Sequence, residues 1–513
     1  MRVAVWDRYW STMGGGEQVA GRIAQALSTR HDVDLLTPAP IDRARLEERL
    51  ALDLSACGEV LVGSTEGSAS AAARHHDLFV NCTYLSDAPA PGRFGLYYVH
   101  FPGGRPPAGE ERRRRLAARA NQALRRAHIA WGEGFHAAEP DGRTRWTNGL
   151  AVAHVWLPGG GELGLRVHAD PWPSGARVRC TVKVGRDVVF DGGLPPGGTV
   201  LRVPLADRGP DRPHPVVVAS DHFLPAEAFD VPDARQLGVM VTDVVLAGVG
   251  AGAAGRRPAW TFPPSQHAAL DTYDVLLANS AYTARWTERL WGRAAEVLPP
   301  PVASRPGGAK GNVILSVGRF FDAASGHSKK QLEMARAFRS LVEDHGVEGW
   351  ELHLVGGCAP AYRDYAMAVR RELLGLPAEV HFNAPGEDLA DLLARASVYW
   401  HAAGMGEDLE RHPDRAEHFG IAVVEAMSAG AVPVVFAAAG PAEIVRDGVD
   451  GRHVHDAAEL AAATAALVRD PGRRAAMAAA AVERARAFER SVFDERLHAV
   501  VDGLAARAAL AER

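Results

Sequence analysis

Glu417-His418-Phe419-Gly420-Ile421-Ala422-Val423-Val424-Glu425 runs directly into Ala426-Met427-Ser428-Ala429-Gly430. Two carboxylates stand with seven residues between them, and the interval is small and apolar as far as a glycine. Val432-Pro433-Val434-Val435-Phe436 then reads as a buried strand. The pattern predicts a short core helix over Phe419 to Ala429, ended by Gly430 in the left-handed conformation. If most of the interval is helical, a rise of about 1.5 Å per residue sets the carboxylates about 12 Å apart along the axis. That is roughly the span of a nucleotide sugar from hexose to ribose. The free amides at the helix start favour an anionic diphosphate between the carboxylates. One carboxylate then suits sugar hydroxyls and the other the ribose diol.

Working outward, Asn312 to Val317 reads as a strand ending in Gly318-Arg319. A polar loop, Ser328-Lys329-Lys330 and a helix from Gln331 to Leu341 follow. Arg319 and one of the lysines fall at the carboxyl end of that strand, where an open α/β sheet takes an anionic ligand. Trp350 to Gly357 is the next strand and glycine turn, with Gly356 on the nucleotide side. Val380 to Pro385 and Val398 to Ala402 add two strands around a helix from Glu387 to Ala394. Gly404 to Ala416 is polar and irregular, and is expected to order only on ligand binding. Gly440-Pro441 opens another helix, and alanine-rich helices fill Ala457 to Phe488, with a last one from Val492.

These residues resemble the retaining glycosyltransferases of family 4, whose fold is GT-B. The resemblance rests on E-H-F-G-I-x-x-x-E-A-M-S-A-G-x-x-P-V-V, which contains the family's E-x7-E pair. It implies that Glu417 contacts the donor sugar and Glu425 the ribose. It also implies that Arg319, with Lys329 or Lys330, clamps the donor diphosphate. Counting back from Ala337-Phe338 slightly favours Lys329. Gly318, Gly356, Phe419, Gly420 and Ile421 complete the expected donor site.

The first half carries a second α/β pattern. Arg2 to Trp6 is a short strand, and Gly14-Gly15-Gly16-Glu17 opens an amphipathic helix through Leu27. Gly14, Gly15 and Gly16 let backbone amides approach an acceptor, or make only a tight turn. Tyr97-Tyr98-Val99-His100-Phe101-Pro102 ends a further strand, which aims His100 at the ligand crevice. Family 4 enzymes place a histidine near the sugar and acceptor here; the bland reading is a satisfied core histidine. The arginine-rich stretch Arg112 to Arg126 is a solvated face first, and a contact to anionic lipid second. From Arg145 to Gly248 the period changes to short alternating strands with Pro and Gly turns, which predicts a β-sandwich. Trp146, Trp156 and Trp172 read as sandwich core or as sugar-stacking platforms. The α/β pattern resumes at Tyr273 to Ser280.

The expected fold is therefore α/β: two doubly wound, Rossmann-like domains with an all-β sandwich inserted in the first. The boundaries are 1–139 and 257–300 for the first domain and 140–256 for the sandwich. The Pro/Gly-rich 301–311 forms a hinge-like linker, 312–490 the second domain, and 491–513 a helix crossing back. A length of 513 residues fits two or three domains. A net charge of −5 argues against a nucleic-acid partner. Cys57, Cys82, Cys180 and Cys358 lie far apart and read as reduced thiols in a cytoplasmic protein, with peripheral attachment at the inner membrane face left open. No run of about 18 apolar residues appears.

The expected function is transfer of a hexose from a nucleotide diphosphate sugar to a carbohydrate, lipid-linked or small-molecule hydroxyl. No D-x-D motif lies near the proposed site and no cofactor signature appears, so no metal and no cofactor are expected, with the nucleotide sugar as co-substrate. A nucleotide-sugar epimerase of the same fold and a non-catalytic sugar-binding protein are the alternatives. A phosphorylase is disfavoured by the lack of a pyridoxal lysine context. The base, sugar and acceptor are not legible.

Overall fold

The computed structural model describes residues 1–103, 116, 119–120, 127–170, 172–173, 177–209, 212–229, 231–248, 268–322 and 328–511. The arginine-rich Arg112–Arg126 stretch therefore lies outside the described residues, apart from 116, 119 and 120. The chain divides into two compact units. One comprises Met1–Tyr98, Pro106–Leu276 and Asp502–Arg513, and the other Val99–Arg105 and Leu277–Val501.

In the first unit five parallel strands lie in the order β5-β4-β1-β2-β3. They are β1 (Arg2–Trp6), β2 (Asp32–Thr37), β3 (Cys57–Leu61), β4 (Leu78–Asn81) and β5 (Phe94–Val99). Every residue of β4 and β5 is buried, as expected for strands covered on both faces. Helix α1 (Gly15–Ser28) follows the glycine turn, and the Glu17 carboxylate accepts from the Gly14 N–H at its start.

The same unit holds two antiparallel sheets. One is ordered β11-β10-β13-β8-β6 and the other β12-β9-β14-β7. The strands are β6 (His128–Trp131), β7 (Arg145–Trp146), β8 (Leu150–Trp156), β9 (Gly161–His168), β10 (Arg179–Val184), β11 (Asp187–Gly193), β12 (Thr199–Leu205), β13 (His214–Ser220) and β14 (Met240–Gly248). Leu163, Leu165, Val167, Leu201 and Val203 from one sheet share a core with Val155, Val182, Val184, Val216 and Val218 from the other. Alternation along β12 is strict, as one buried face requires. The antiparallel structure begins at His128, ahead of Arg145, because β6 is only four residues long and gives little periodicity to read. Lys183 is fully buried and donates to the Thr272 carbonyl at 3.0 Å, while Arg208 pairs with Asp271 at 2.7 Å. These contacts tie the antiparallel strands to the rest of their unit. Trp146 and Trp172 meet Phe223 edge-on, and Trp156 stacks on His128.

The second unit contains β15 (Val275–Ala278) from Leu277 on, β16 (Glu296–Val297) and a sheet of six parallel strands. The six are β17 (Val313–Val317), β18 (Glu351–Gly356), β19 (Ala378–Phe382), β20 (Val398–His401), β21 (Val432–Phe436) and β22 (Arg452–Val454). Their order, β19-β18-β17-β20-β21-β22, reverses direction between β17 and β20. Ligands of doubly wound sheets bind at that reversal, beyond the carboxyl ends of the strands. A long helix, Arg490–Ala511, closes the chain. No helix among the described residues is long and apolar enough to cross a membrane.

The expected hinge at 301–311 has no regular secondary structure, yet it is strapped to the second unit. Val302 N–H donates to the Phe488 carbonyl, Gly308 to Ala394 and Gly311 to Arg395. Lys310 donates to the Ala394 and Ala429 carbonyls at 2.8 and 2.6 Å. Proline and glycine here shape a docked strap, in which the amides of Val302, Gly308 and Gly311 find carbonyls at helix ends.

Candidate active site

Helix α2 (Gln331–Glu343) starts immediately after the two lysines, and α3 (Ile421–Ser428) immediately after Gly420. The expected helix over Phe419 to Ala429 is therefore shorter at its start. Gly420 has φ +111°, a left-handed backbone that interrupts helical hydrogen bonding ahead of Ile421. Glu417 consequently stands outside the helix, and helical rise does not set its separation from Glu425. At the other end Gly430 has φ +86°, as expected, and its N–H donates to the Met427 carbonyl.

Glu417 lies at the strand-order reversal. Its Oε2 accepts from the Lys329 ammonium and, at 3.0 Å, from His401 Nε2. His401 is the last residue of β20 and is buried, and its Nδ1 has no hydrogen-bond partner among the described residues. Burial by itself raises a carboxyl pKa, but Lys329 and His401 overcome it and hold Glu417 well below its ordinary value. The site thus keeps an ionised hydrogen-bond acceptor beside a cation. Gly440 braces the segment from behind: its N–H donates to the Glu417 carbonyl at 3.0 Å.

Glu425 is one turn into α3. Its Oε1 accepts from Arg305 Nε at 3.0 Å and from the second guanidinium nitrogen at 2.6 Å. The Arg305 N–H in turn donates to Ser428 Oγ at 3.0 Å, which fixes the strap against the helix. Both Arg305 bonds fall on one carboxylate oxygen.

The remaining expected residues divide. Gly318 and Gly356 end adjacent strands, and a Cβ on Gly356 would lie 1.9 Å from the Gly318 carbonyl oxygen. Only glycine permits that approach. A Cβ on Gly318 would meet the Lys329 stem at 2.7 Å, so the two share one corner. Arg319 is exposed, and its guanidinium sits over the Phe321 ring at 4.9 Å. Lys330 is turned elsewhere: its ammonium pairs with Glu407 Oε1 at 2.6 Å, and Arg415 takes Glu407 Oε2 at 2.8 Å. Lys330 has φ +61° at the start of α2, which directs consecutive lysines to different partners. Phe419 packs in the core against Phe488, and Ile421 lines the same cluster. The Cα and carbonyl oxygen of Phe419 lie against Gly440.

His100 follows β5 and belongs to the second unit. Its carbonyl accepts from Asn279 Nδ2 at 2.8 Å. The next residue, Phe101, stacks on His418 with ring centroids 3.9 Å apart and planes at 5°. Gly14, Gly15 and Gly16 form the turn into α1 in the first unit.

Three groups at the site were not foreseen: Arg305, His401 and the Glu407–Arg415 pair. The segment 404–416, expected to be loose, is tied down by that pair and by the Tyr282 hydroxyl donating to the Pro413 carbonyl at 2.9 Å. A histidine closing the buried strand Val-Tyr-Trp-His was the one available signal.

Residues 304–484 match the family model "Glycosyl transferases group 1". Human GDP-Man:Man(3)GlcNAc(2)-PP-Dol alpha-1,2-mannosyltransferase is 29% identical over 187 residues, 33% of this chain and 35% of that protein. D-inositol 3-phosphate glycosyltransferase 1 of Catenulispora acidiphila is 45% identical over 91 residues, 17% of this chain and 22% of that protein. The chain thus spans at most about a third of the length of these relatives. Among solved structures, HepE of Anabaena in complex with UDP aligns with 98% of this chain and 100% of its own, at 13% identity and a TM-score of 0.53. Sucrose-phosphate synthase from Thermosynechococcus elongatus aligns over 99% and 100%, also at 13% identity and a TM-score of 0.53. Glu417, Glu425, Arg305, Lys329 and His401 all fall inside the matched region, so the site lies in a segment similar to group 1 glycosyl transferases, within a chain whose α/β fold is GT-B-like.

Proposed function

We propose that this protein is a retaining glycosyltransferase that moves a hexose from a nucleotide diphosphate sugar to a hydroxyl acceptor without a metal. The observation that carries the reading is the Glu417 carboxylate, held ionised by Lys329 and His401 at the strand-order reversal, with Glu425 eight residues on. In this reading the bond from the anomeric carbon to the diphosphate oxygen breaks as the acceptor oxygen attacks from the same face. The departing phosphate takes the acceptor proton. Lys329 and Arg319 stabilise the charge that develops on the diphosphate. Glu417 holds sugar hydroxyls and is not the nucleophile, and Glu425 takes the ribose once Arg305 yields or shares its oxygen. Residues 312–490 form the donor domain, and 1–139 with 257–300 the acceptor domain. The antiparallel region within 140–256 is an insertion that helps select the acceptor.

The test couples binding to stereochemistry. A thermal-shift screen across UDP, GDP and ADP identifies the base, since a ligand at 100 times its dissociation constant adds about 2.7 kcal/mol. Transfer from the matching sugar nucleotide is then followed by NMR. A product of retained anomeric configuration, and loss of transfer in Glu417→Gln, are the expected results. An inverted product, or epimerised donor in the absence of acceptor, overturns the assignment.

A further inference from the structure

Far from the carboxylate pair in sequence, the edge of the six-stranded sheet carries a histidine pair. His353 on β18 stands in register with Glu379 on the edge strand β19, and His381 lies two residues further along β19 on the same face. His353 Nδ1 and His381 Nε2 are 2.9 Å apart, with the rings stacked at 5.2 Å and 18°. Glu379 Oε2 is 3.5 Å from His381 Nε2, and Glu351 Oε2 is 3.4 Å from His353 Nε2. One ligand atom each from His353, Glu379 and His381 falls within 4.8 Å of the others.

Two imidazole nitrogens this close must share something positive between their lone pairs, either one proton or one cation. We propose that His353, His381 and Glu379 bind a divalent transition metal of the zinc type, which staples β18 to the edge strand β19. Imidazole nitrogen with carboxylate oxygen is a donor set that suits zinc, nickel or copper in preference to calcium or magnesium. Zinc bonds of about 2.0–2.2 Å in a tetrahedron give ligand-to-ligand edges of about 3.3–3.6 Å. The His381–Glu379 edge already has that length, and the histidine pair needs to open by only a few tenths of an ångström. Glu379 is exposed and free to swing inward, water takes the fourth position, and Glu351 stands at the other ring nitrogen of His353, Nε2, where it orients the imidazole. His353 is buried among its neighbours, so its ring is already oriented. The proposal is independent of the glycosyltransferase reading.

The experiment uses the full chain, stripped with EDTA and dialysed against graded Zn²⁺. One equivalent bound at sub-micromolar free zinc, with a rise in melting temperature, is expected. Co²⁺ substitution should give visible absorption bands that change in His381→Ala. Glu379→Gln, on an exposed edge position, should weaken binding about 10–100-fold without altering the melt of the stripped protein. His381→Ala should abolish the bound equivalent. Absence of binding below millimolar zinc overturns the proposal. So does undiminished binding in both variants, which would place the metal on other histidines or cysteines.

Discussion

The carboxyl ends of the two parallel sheets each present a partly or fully buried carboxylate, and they resolve its charge in opposite ways. In the first unit Asp7 follows β1 and is 1% exposed, with Tyr9 N–H donating to it at 2.8 Å. Burial dominates, the nearby Glu17 adds repulsion, and the carboxyl is pushed well above its ordinary pKa. In the second unit Glu417 also carries a burial penalty, but Lys329 and His401 reverse it. Place in the fold sets only the penalty; the neighbouring groups decide the ionisation state. A neutral end suits hydroxyl-bearing ligands and a cation-lined end suits anions, in keeping with an acceptor side and a donor side as proposed above.

The strongest way to break the comparison is Lys329→Met. It removes the cation that keeps Glu417 charged and that is proposed to face the diphosphate. Turnover should fall about 10²–10³-fold, the usual loss for one preorganised contact. Steady-state kinetics with the matched donor decide it, and a loss below about threefold would remove Lys329 from the chemistry. Glu425→Ala comes next. Loss of a charged hydrogen bond to the ribose is worth about 1.5–3 kcal/mol, or roughly tenfold or more in nucleotide affinity by calorimetry. Arg305→Ala, which leaves the carboxylate in place, should cost less than Glu425→Ala.

The two carboxylates also predict opposite pH slopes of stability. Asp7 has a raised folded pKa, so its contribution is full below the unfolded value of about 3.9 and is lost as pH rises through the folded value. Glu417 has a lowered folded pKa, so its contribution is present above about 4.3 and is lost as pH falls through the folded value. Denaturant melts between acid and neutral pH should therefore show Asp7→Asn removing a fall in stability with rising pH. Lys329→Met should remove a rise. The smallest expected effect is on activity in EDTA, which should remain unchanged because the proposed diphosphate contacts are Lys329 and Arg319. Activity abolished by EDTA and restored by Mn²⁺ would show that a cation holds the diphosphate.

Much of this was legible before the structure. The buried runs Val-Pro-Val-Val-Phe and Val-Ile-Leu-Ser-Val marked central parallel strands, and the two-residue alternation near Leu163 and Leu201 marked the antiparallel region. Other features depended on contacts distant in sequence. Arg305 sits in a Pro/Gly stretch that reads as a hinge, and it reaches Glu425 120 residues away only because the strap docks on α3. His401 reads as strand core until Glu417 folds back over its end. Lys329 and Lys330 are adjacent in sequence, and the left-handed turn at Lys330 gives them different partners. The helix start was misplaced because an apolar run shows where a helix packs, whereas Gly420's positive φ decides where it begins.

Gly440 has a consequence for protein engineering. A Cβ there would lie 2.4 Å from both the Cα and the carbonyl oxygen of Phe419, which are main-chain atoms that cannot rotate aside. Position 440 is thus closed to variation, and any larger residue would lift the loop bearing Glu417 off its support. Mutant libraries aimed at new donors are best spent on Arg305 and His401, whose side chains touch the two carboxylates without bearing the backbone that carries them.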